Sequence, residues 1–381
     1  MVNPPTEEEI RAIRSGATVI SFFRPEGDDC PQMKAMMEQK ITMLSIDFIP
    51  RISRAQKMDG LSSMANISGY RAVLEAAAVY GSFFTGQFTA AGKVAPAKVL
   101  VVGAGVAGLA ALGAATGLGA IVRAFDVRAS VKDQIKSLGG EFLEVELEES
   151  GDGGGGYART MSPEYHKAQM ELFYQQAQDV DIVITTALIP GRDAPVLWER
   201  RHVEAMKPGS VIVDLAVERG GNVEGAKAGE VVDVDGVKIV GHLNMAGRIA
   251  ASASLLYAKN LYAFLETMVN KETGEVSINL DDELVKATLL PHGGAVVHPA
   301  FAPKEAPKEI LVADDAVRHL WARFCRHRRV ADTGPGRGCR VSVAFRCRVG
   351  DAVERGDVVL CCYASYSAAG DLRNRGVPPA A

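Results

Sequence analysis

Apolar and polar positions along the chain alternate in blocks that already outline its architecture. After an acidic start, MVNPPTEEEIRAIRSGA, two apolar runs, TVISFF (18–23) and ITMLSIDF (41–48), flank MKAMMEQK, whose composition is helical. Two strands around a helix make a small α/β unit. NISGYRAVLEAAAVYGSFF (66–84) predicts a helix leading out of that unit, and GQFTAAGKVAPAK (86–98) is a turn-rich approach to the next. Five apolar runs follow: KVLVV (98–102), AIVRAFD (120–126), DIVITTALI (181–189), SVIVDLA (210–216) and VKIVGHL (237–243). Near-continuous Val/Ile runs separated by helical or irregular segments describe parallel strands buried on both faces. The expectation is a doubly wound α/β domain. RIAASASLLYAKNLYAFLETM (248–268) predicts a long helix returning to the first unit, with Lys259 and Glu266 on its wetter side.

A length of 381 residues suggests two domains, and 48% hydrophobic with 23% charged residues is an ordinary globular composition. A formal charge of -4 gives no electrostatic reason to expect nucleic acid as a partner. No basic segment followed by an apolar one marks the N-terminus as a targeting signal. Val99 to Val122 carries no charge and is long enough to cross a bilayer, yet six glycines break it into strand, turn, helix and strand, so no membrane span is expected. Beyond Val312 the texture changes: lysine and isoleucine disappear, arginine recurs, and Cys325, Cys339, Cys347, Cys361 and Cys362 cluster. Their spacing, with His319 and His327, completes no zinc pattern, so no metal is expected. The segment reads as an unstructured tail, and its bias suggests an out-of-frame reading of a GC-rich gene.

GAGVAG (Gly103, Ala104, Gly105, Val106, Ala107, Gly108) directly follows KVLVV and opens the helical LAALGAATGLG. A lone G-x-G-x-x-G is weak evidence, but with a strand before it and a helix after it the pattern is a dinucleotide-binding fingerprint. Gly103 permits the tight turn, Gly105 lets a pyrophosphate approach the backbone, and Gly108 lets helix and strand pack closely. Asp126 ends the next strand about twenty residues on, where a carboxylate accepts from ribose hydroxyls and repels a 2′-phosphate. NAD(H) is favoured over NADP(H), although Arg128 leaves that choice open.

Two readings remain open for the mostly polar PRISRAQKMDGLSS (50–63): a solvated connector, or donors and acceptors held over a ligand. ESGDGGGGYA (149–158) is equally open between a flexible connector and a loop that closes over a site. Dehydrogenation of a hydroxy or amino acid calls for a proton-transfer group, and among seven histidines only His242, at a strand end, falls plausibly near the cofactor. Hydride exchange between two nicotinamides moves no proton, so placement is most of its catalysis.

Several stretches, in order from about Val19 to Phe301, resemble the NAD(H)-binding component of proton-translocating nicotinamide nucleotide transhydrogenase: PRISRAQKMDGLSSMANISGYRAV, TAAGKVAPAKVLVVGAGVAGLAALGAA, GAIVRAFDVR, GGGYARTMS, TTALIPGRDAPVLW, MKPGSVIVDLAVERGGN and VGHLNMAGRIAASAS. The resemblance implies a Rossmann NAD(H)-binding domain (65–245) and an incomplete flanking α/β domain (1–64, completed by 246–303), with 304–381 outside the pattern. It implies Si-specific hydride transfer from NADH to NADP⁺ on a partner domain, coupled to proton movement by a membrane domain. By the same resemblance Arg51 contacts the carboxamide region, Gln56 reaches the ribose where the two rings meet, and Asp59 and Ser62 complete that set. Gly103 to Gly108 take the pyrophosphate, Asp126, Val127 and Arg128 the adenosine ribose, Gly156 and Tyr157 belong to a closing loop, and Gln169 and Leu188 line the adenosine side. A homodimer is implied, peripheral on the cytoplasmic or matrix face of an energy-coupling membrane. Against the family pattern the chain lacks the first elements of the flanking domain, the membrane helices and the NADP(H) domain. Alanine dehydrogenase is the rival, with similar VDLA and NM-x-G stretches but an aspartate where Glu218 stands. A truncated NAD-binding module without turnover is the other.

Overall fold

The computed structural model describes residues 4–25, 30–147, 149, 151–153, 159, 161–188, 193–270 and 272–301, all within one compact unit, Met1–Lys304. The tail expected from 304 onward lies outside the described residues. The flanking part begins with α1 (Glu7–Ala12), closed by a capping box in which Thr6 and Glu9 satisfy each other's backbone N–H groups. Strand β1 (Thr18–Ser21), helix α2 (Pro31–Glu38) and strand β2 (Thr42–Ser45) follow, with β1 and β2 paired in parallel from Thr18–Thr42 to Ser21–Ser45.

The polar stretch after β2 is more ordered than its composition suggests. Ser53–Met58 forms a 3-10 helix, and α3 (Gly60–Val79) starts six residues before the predicted Asn66. Asp59 supplies the cap, accepting from the Ser62 N–H at 2.9 Å, and this local bond sets the helix start where an apolar pattern gives no signal. A hairpin of β3 (Gln87–Thr89) and β4 (Gly92–Val94) occupies the turn-rich approach.

Next come β5 (Lys98–Val102), α4 (Val106–Gly117), β6 (Ile121–Phe125), α5 (Lys132–Ser137), β7 (Glu141–Leu143), α6 (Pro163–Ala177), β8 (Ile182–Thr185), α7 (Arg200–Ala205), β9 (Val211–Asp214), β10 (Val231–Val234) and β11 (Val237–Val240). The strands form one seven-stranded sheet in the order β10-β11-β9-β8-β5-β6-β7, parallel throughout except for β10. This is the doubly wound fold expected, with β7 and β10 added at its edges. Alternate β5 residues face opposite cores: Val99 and Val101 pack with α3 and α4, Leu100 and Val102 with α6 and α7. The chain leaves β5 toward β6 on one side and returns to β8 on the other, so the carboxyl end of β5 is the switch point where such sheets bind ligands.

The chain then returns through a 3-10 turn (Met245–Ile249) into α8 (Ala250–Glu266), close to the predicted 248–268, and continues through α9 (Glu283–Thr288) to a short hairpin of Pro291–His292 and Ala295–Val296. No described helix is long and apolar enough to cross a membrane.

Candidate functional site

At the switch point the three glycines of the fingerprint do three different things. Gly103 has φ +99°, donates its N–H to the Phe125 carbonyl at 2.8 Å, and a Cβ there would stand 2.5 Å from Thr186 Oγ1. Thr186 in turn donates to the Val102 or Gly103 carbonyl, at 3.2 and 3.1 Å, tying the end of β8 under the turn. Gly108 lets α4 descend on the turn: a Cβ would lie 1.7 Å from the Gly103 carbonyl oxygen. Gly105, the N-cap of α4, is exposed, and a Cβ on it would meet nothing within 4 Å. Open space over an exposed glycine at a helix N-terminus, with first-turn N–H groups unmatched inside the helix, fits the diphosphate of a dinucleotide.

Asp126 is buried at the end of β6 and holds the turn from the side. Its Oδ2 accepts from the Ala104 N–H at 2.7 Å, and its Oδ1 accepts from the Arg128 N–H at 2.9 Å. Arg128 also folds its guanidinium back, Nη2 to Oδ2 at 2.8 Å. Both carboxylate oxygens are thus engaged by Ala104 and Arg128. Helix α6 lies beside it: burial first, then the charge of Asp126, pushes the Tyr165 phenol above its ordinary value. Gln169 is buried one turn further along α6, and Leu188 is 49% exposed beyond β8. Val127 is pinned to the flank of the glycine-rich stretch, accepting from the Gly151 N–H at 2.9 Å. Gly156 and Tyr157 lie outside the described residues.

In the polar stretch the side chains divide by role. Gln56 and Arg51 are exposed. Asp59 and Ser62 bond to each other, Ser62 Oγ to Asp59 Oδ2 at 2.5 Å as well as through the backbone, so both serve the start of α3. Arg54 spans to α9, donating to both Asp282 oxygens at 2.8 and 3.1 Å and to Glu283 at 3.0 Å. Asn260 on α8 donates to the Lys57 carbonyl at 2.9 Å. The stretch is therefore fastened from α8 and α9 with Gln56 left outward. It is joined to the glycine turn by α3, whose Gly69 presses on α4 so closely that a Cβ would stand 1.9 Å from the Ala107 carbonyl oxygen. From Asp59 to Gly69 the helix rises about 15 Å.

Residues that the motif reading passed over frame the other wall. Asp214, buried at the end of β9, accepts from Thr185 Oγ1 (3.1 Å) and from the N–H groups of Ala216, Asn222 and Val223 (2.9, 2.9 and 3.2 Å). Burial outweighs these bonds and raises its carboxyl above the ordinary range. Asn222 then donates to the Ala187 and Pro195 carbonyls and accepts from the Ala187 N–H, bracketing the segment after β8. The signal was an aspartate at the end of an apolar strand, SVIVDLA, which alone does not say what it will hold.

Four of the histidines among the described residues engage other groups, and His166 is exposed on α6. His202 is fully buried, accepting from the Glu199 N–H at 2.9 Å and bonding the Met170 carbonyl at 2.9 Å, and burial depresses its pKa. His292 bonds Thr42, His298 the Ala287 carbonyl, and His242 lies 3.6 Å from Glu75. Among the described residues no group of three His, Cys, Asp or Glu side chains could hold a metal.

Known proteins share this geometry and much of the sequence that builds it. The pattern of the family described as alanine dehydrogenase/PNT, C-terminal domain, matches residues 72–299, and that of its N-terminal domain matches residues 1–68. The chain is 50% identical over 320 residues to an NAD(P) transhydrogenase subunit alpha of Haemophilus influenzae, an alignment covering 82% of this chain and 62% of that one. It thus spans about three fifths of that relative's length. It is 50% identical over 322 residues to an NAD(P) transhydrogenase subunit alpha of Cereibacter sphaeroides, covering 81% of this chain and 61% of that one. A crystal structure of transhydrogenase from Sinorhizobium meliloti superposes with a TM-score of 0.66 at 51% identity, covering 78% of both chains. The chain belongs to the alanine dehydrogenase/PNT family, on its NAD(P) transhydrogenase alpha-subunit branch.

Proposed function

We propose that this chain is the NAD(H)-binding component of a proton-translocating transhydrogenase, passing hydride from NADH to NADP⁺ held by a partner domain. The observation that carries the reading is the pairing of two places by one helix: a glycine turn open only at Gly105, and a polar stretch with Gln56 exposed. When bound, the nicotinamide supplies the carbon that gives or takes hydride. The protein's own residues do the rest. The α4 N-terminus holds the diphosphate, and Asp126, Val127 and Arg128 hold the adenosine ribose, with Gln169 and Leu188 on the adenosine side. Arg51 and Gln56 orient the carboxamide and ribose of the reacting ring, and Asp59 with Ser62 fixes the start of α3 just after them.

Coupling to proton movement belongs to a membrane domain, and the chain works as a peripheral component on the cytoplasmic or matrix face. Pairing as a homodimer is supported by apolar side chains left outward, Leu255 (57% exposed) and Tyr262 (66%) on one face of α8 and Phe88 (85%) on the hairpin. The domain division proposed, 1–64 with 246–303 against 65–245, is supported at its second boundary by the change of core between Met245 and Ala246, while on α3 the change comes after Ile67.

The test mixes the purified chain with the NADP(H)-binding component and follows hydride transfer to an NADP⁺ analogue. NADH binding with transfer is expected. Binding without transfer leaves a nucleotide-binding module, and NADH formation from alanine and NAD⁺ transfers the chain to the amino-acid oxidoreductases.

A further inference from the structure

Within the described residues the chain passes between the flanking core and the nucleotide core at two places. The first is α3: Met64 and Ile67 lie in the flanking core, and Ala72, Val73 and Ala76 in the nucleotide core. The second is abrupt, since Met245 belongs to the nucleotide core and Ala246 to the flanking one. One side chain reaches both. Glu75, on α3, is 4% exposed; its Oε1 accepts from Arg71 Nε at 2.7 Å and from Arg248 Nε at 2.5 Å, and its Oε2 stands 3.6 Å from His242 Nε2 beyond β11. Burial works to raise this carboxyl, but the hydrogen bonds from Arg248 and Arg71 outweigh it and hold the group below its ordinary value. It is therefore a buried anion with two guanidinium partners, one on its own helix and one just past the second crossing.

We infer that Glu75 is a positioning residue, a clasp that fastens the two crossings together and sets the angle at which the polar stretch faces the glycine turn. The lever is explicit. Gly69 touches the α4 backbone at Ala107 and acts as the fulcrum; Glu75 lies six residues beyond it, about 9 Å, and Asp59 ten residues before it, about 15 Å. A slip of about 0.6 Å at Glu75 becomes about 1 Å at the start of the helix, and misplacement on that scale costs a hydride or proton transfer up to about a hundredfold. The lever turns about Gly69, whose contact at Ala107 lies in the glycine motif, so displacement is expected to be least at that turn and binding and rate to separate.

The rate part of this inference rests on the function proposed above; the clasp itself does not. The experiment uses the full chain with Glu75→Gln, which keeps shape and removes charge, and reads three quantities: hydrogen exchange over residues 241–250 and 60–79, NADH affinity, and transfer to an NADP⁺ analogue on the NADP(H)-binding component. Faster exchange in both segments, NADH affinity within about threefold of wild type, and transfer reduced about tenfold are expected. Arg248→Met should act in the same direction, and the double variant should be no worse than Glu75→Gln alone, because both remove one interaction. Should Glu75→Gln fail to fold, Arg248→Met carries the same three expectations. Unchanged exchange in a folded variant overturns the clasp, and affinity falling in step with rate overturns the positioning role. A wild-type chain that binds NADH yet transfers nothing sinks the proposed function, and the clasp then stands or falls on exchange alone.

Discussion

The glycine turn and the polar stretch are built in opposite ways. The turn is made of backbone: Gly103 and Gly108 are there because no side chain fits, and Gly105 faces open space. The polar stretch is made of side chains whose positions are set from outside, through Arg54 to Asp282 and Glu283 and through Lys57 to Asn260. A backbone site is rigid by sterics and refuses side chains at Gly103 and Gly108, whereas a side-chain site can be retuned residue by residue but depends on distant anchors. The same difference separates binding from rate. An interaction shared by ground and transition states governs affinity, and one that improves as the rings align governs turnover.

The sharpest way to break this comparison is at Gly108. Gly108→Ala drives a Cβ into the Gly103 carbonyl, and denaturant unfolding should show a loss of at least about 3 kcal/mol, with NADH binding gone. If the variant is as stable as wild type, the turn is softer than its contacts say. Next in size is Gln56→Ala, expected to lower transfer about a hundredfold while NADH affinity, followed by titration, barely changes. Equal losses in both would make the polar stretch a second binding site. Smaller again is Gly105→Ala, whose Cβ meets no atom: stability should stay within about 1 kcal/mol of wild type while NADH affinity falls about tenfold. Gly108 and Gly105 thus separate folding from binding inside one motif.

The smallest effect is one of pH. His202, in the core behind the turn, is held neutral by burial, its folded pKa below the ordinary 6.5. The unfolded chain binds the proton more readily, so its contribution is whole above about pH 6.5 and is lost as pH falls through the folded value. His298, half-buried in the flanking part, is lowered in the same sense. Thermal midpoints measured downward from pH 7 should fall, and His202→Gln should flatten that slope more than His298→Gln, since His202 is fully buried and His298 only half-buried. The reverse order would place the acid-sensitive region in the flanking part.

Much of the nucleotide part was readable along the chain. The β5 run, the glycines after it and Asp126 lie within thirty residues, and their meaning depends on local geometry that a strand, a turn and a helix impose wherever they occur. The polar stretch was less readable. Its start of α3 at Gly60 rests on one capping aspartate, and Arg54, which composition offers equally as a ligand contact, is spoken for by carboxylates more than two hundred residues away. Asp214 and Asn222 looked like strand-end and loop residues because nothing nearby shows that they bracket the segment after β8.

By itself, then, the order of residues determined a parallel doubly wound sheet, a diphosphate turn at its switch point and an acidic residue beside it, since periodicity and the steric demands of glycine act over short spans. Tertiary structure alone decided which polar side chains remain outward and which become fasteners. Glu75 shows why: its Arg248 partner is 173 residues away, and a carboxylate in an unfolded chain has no way to specify which cation burial will bring to it.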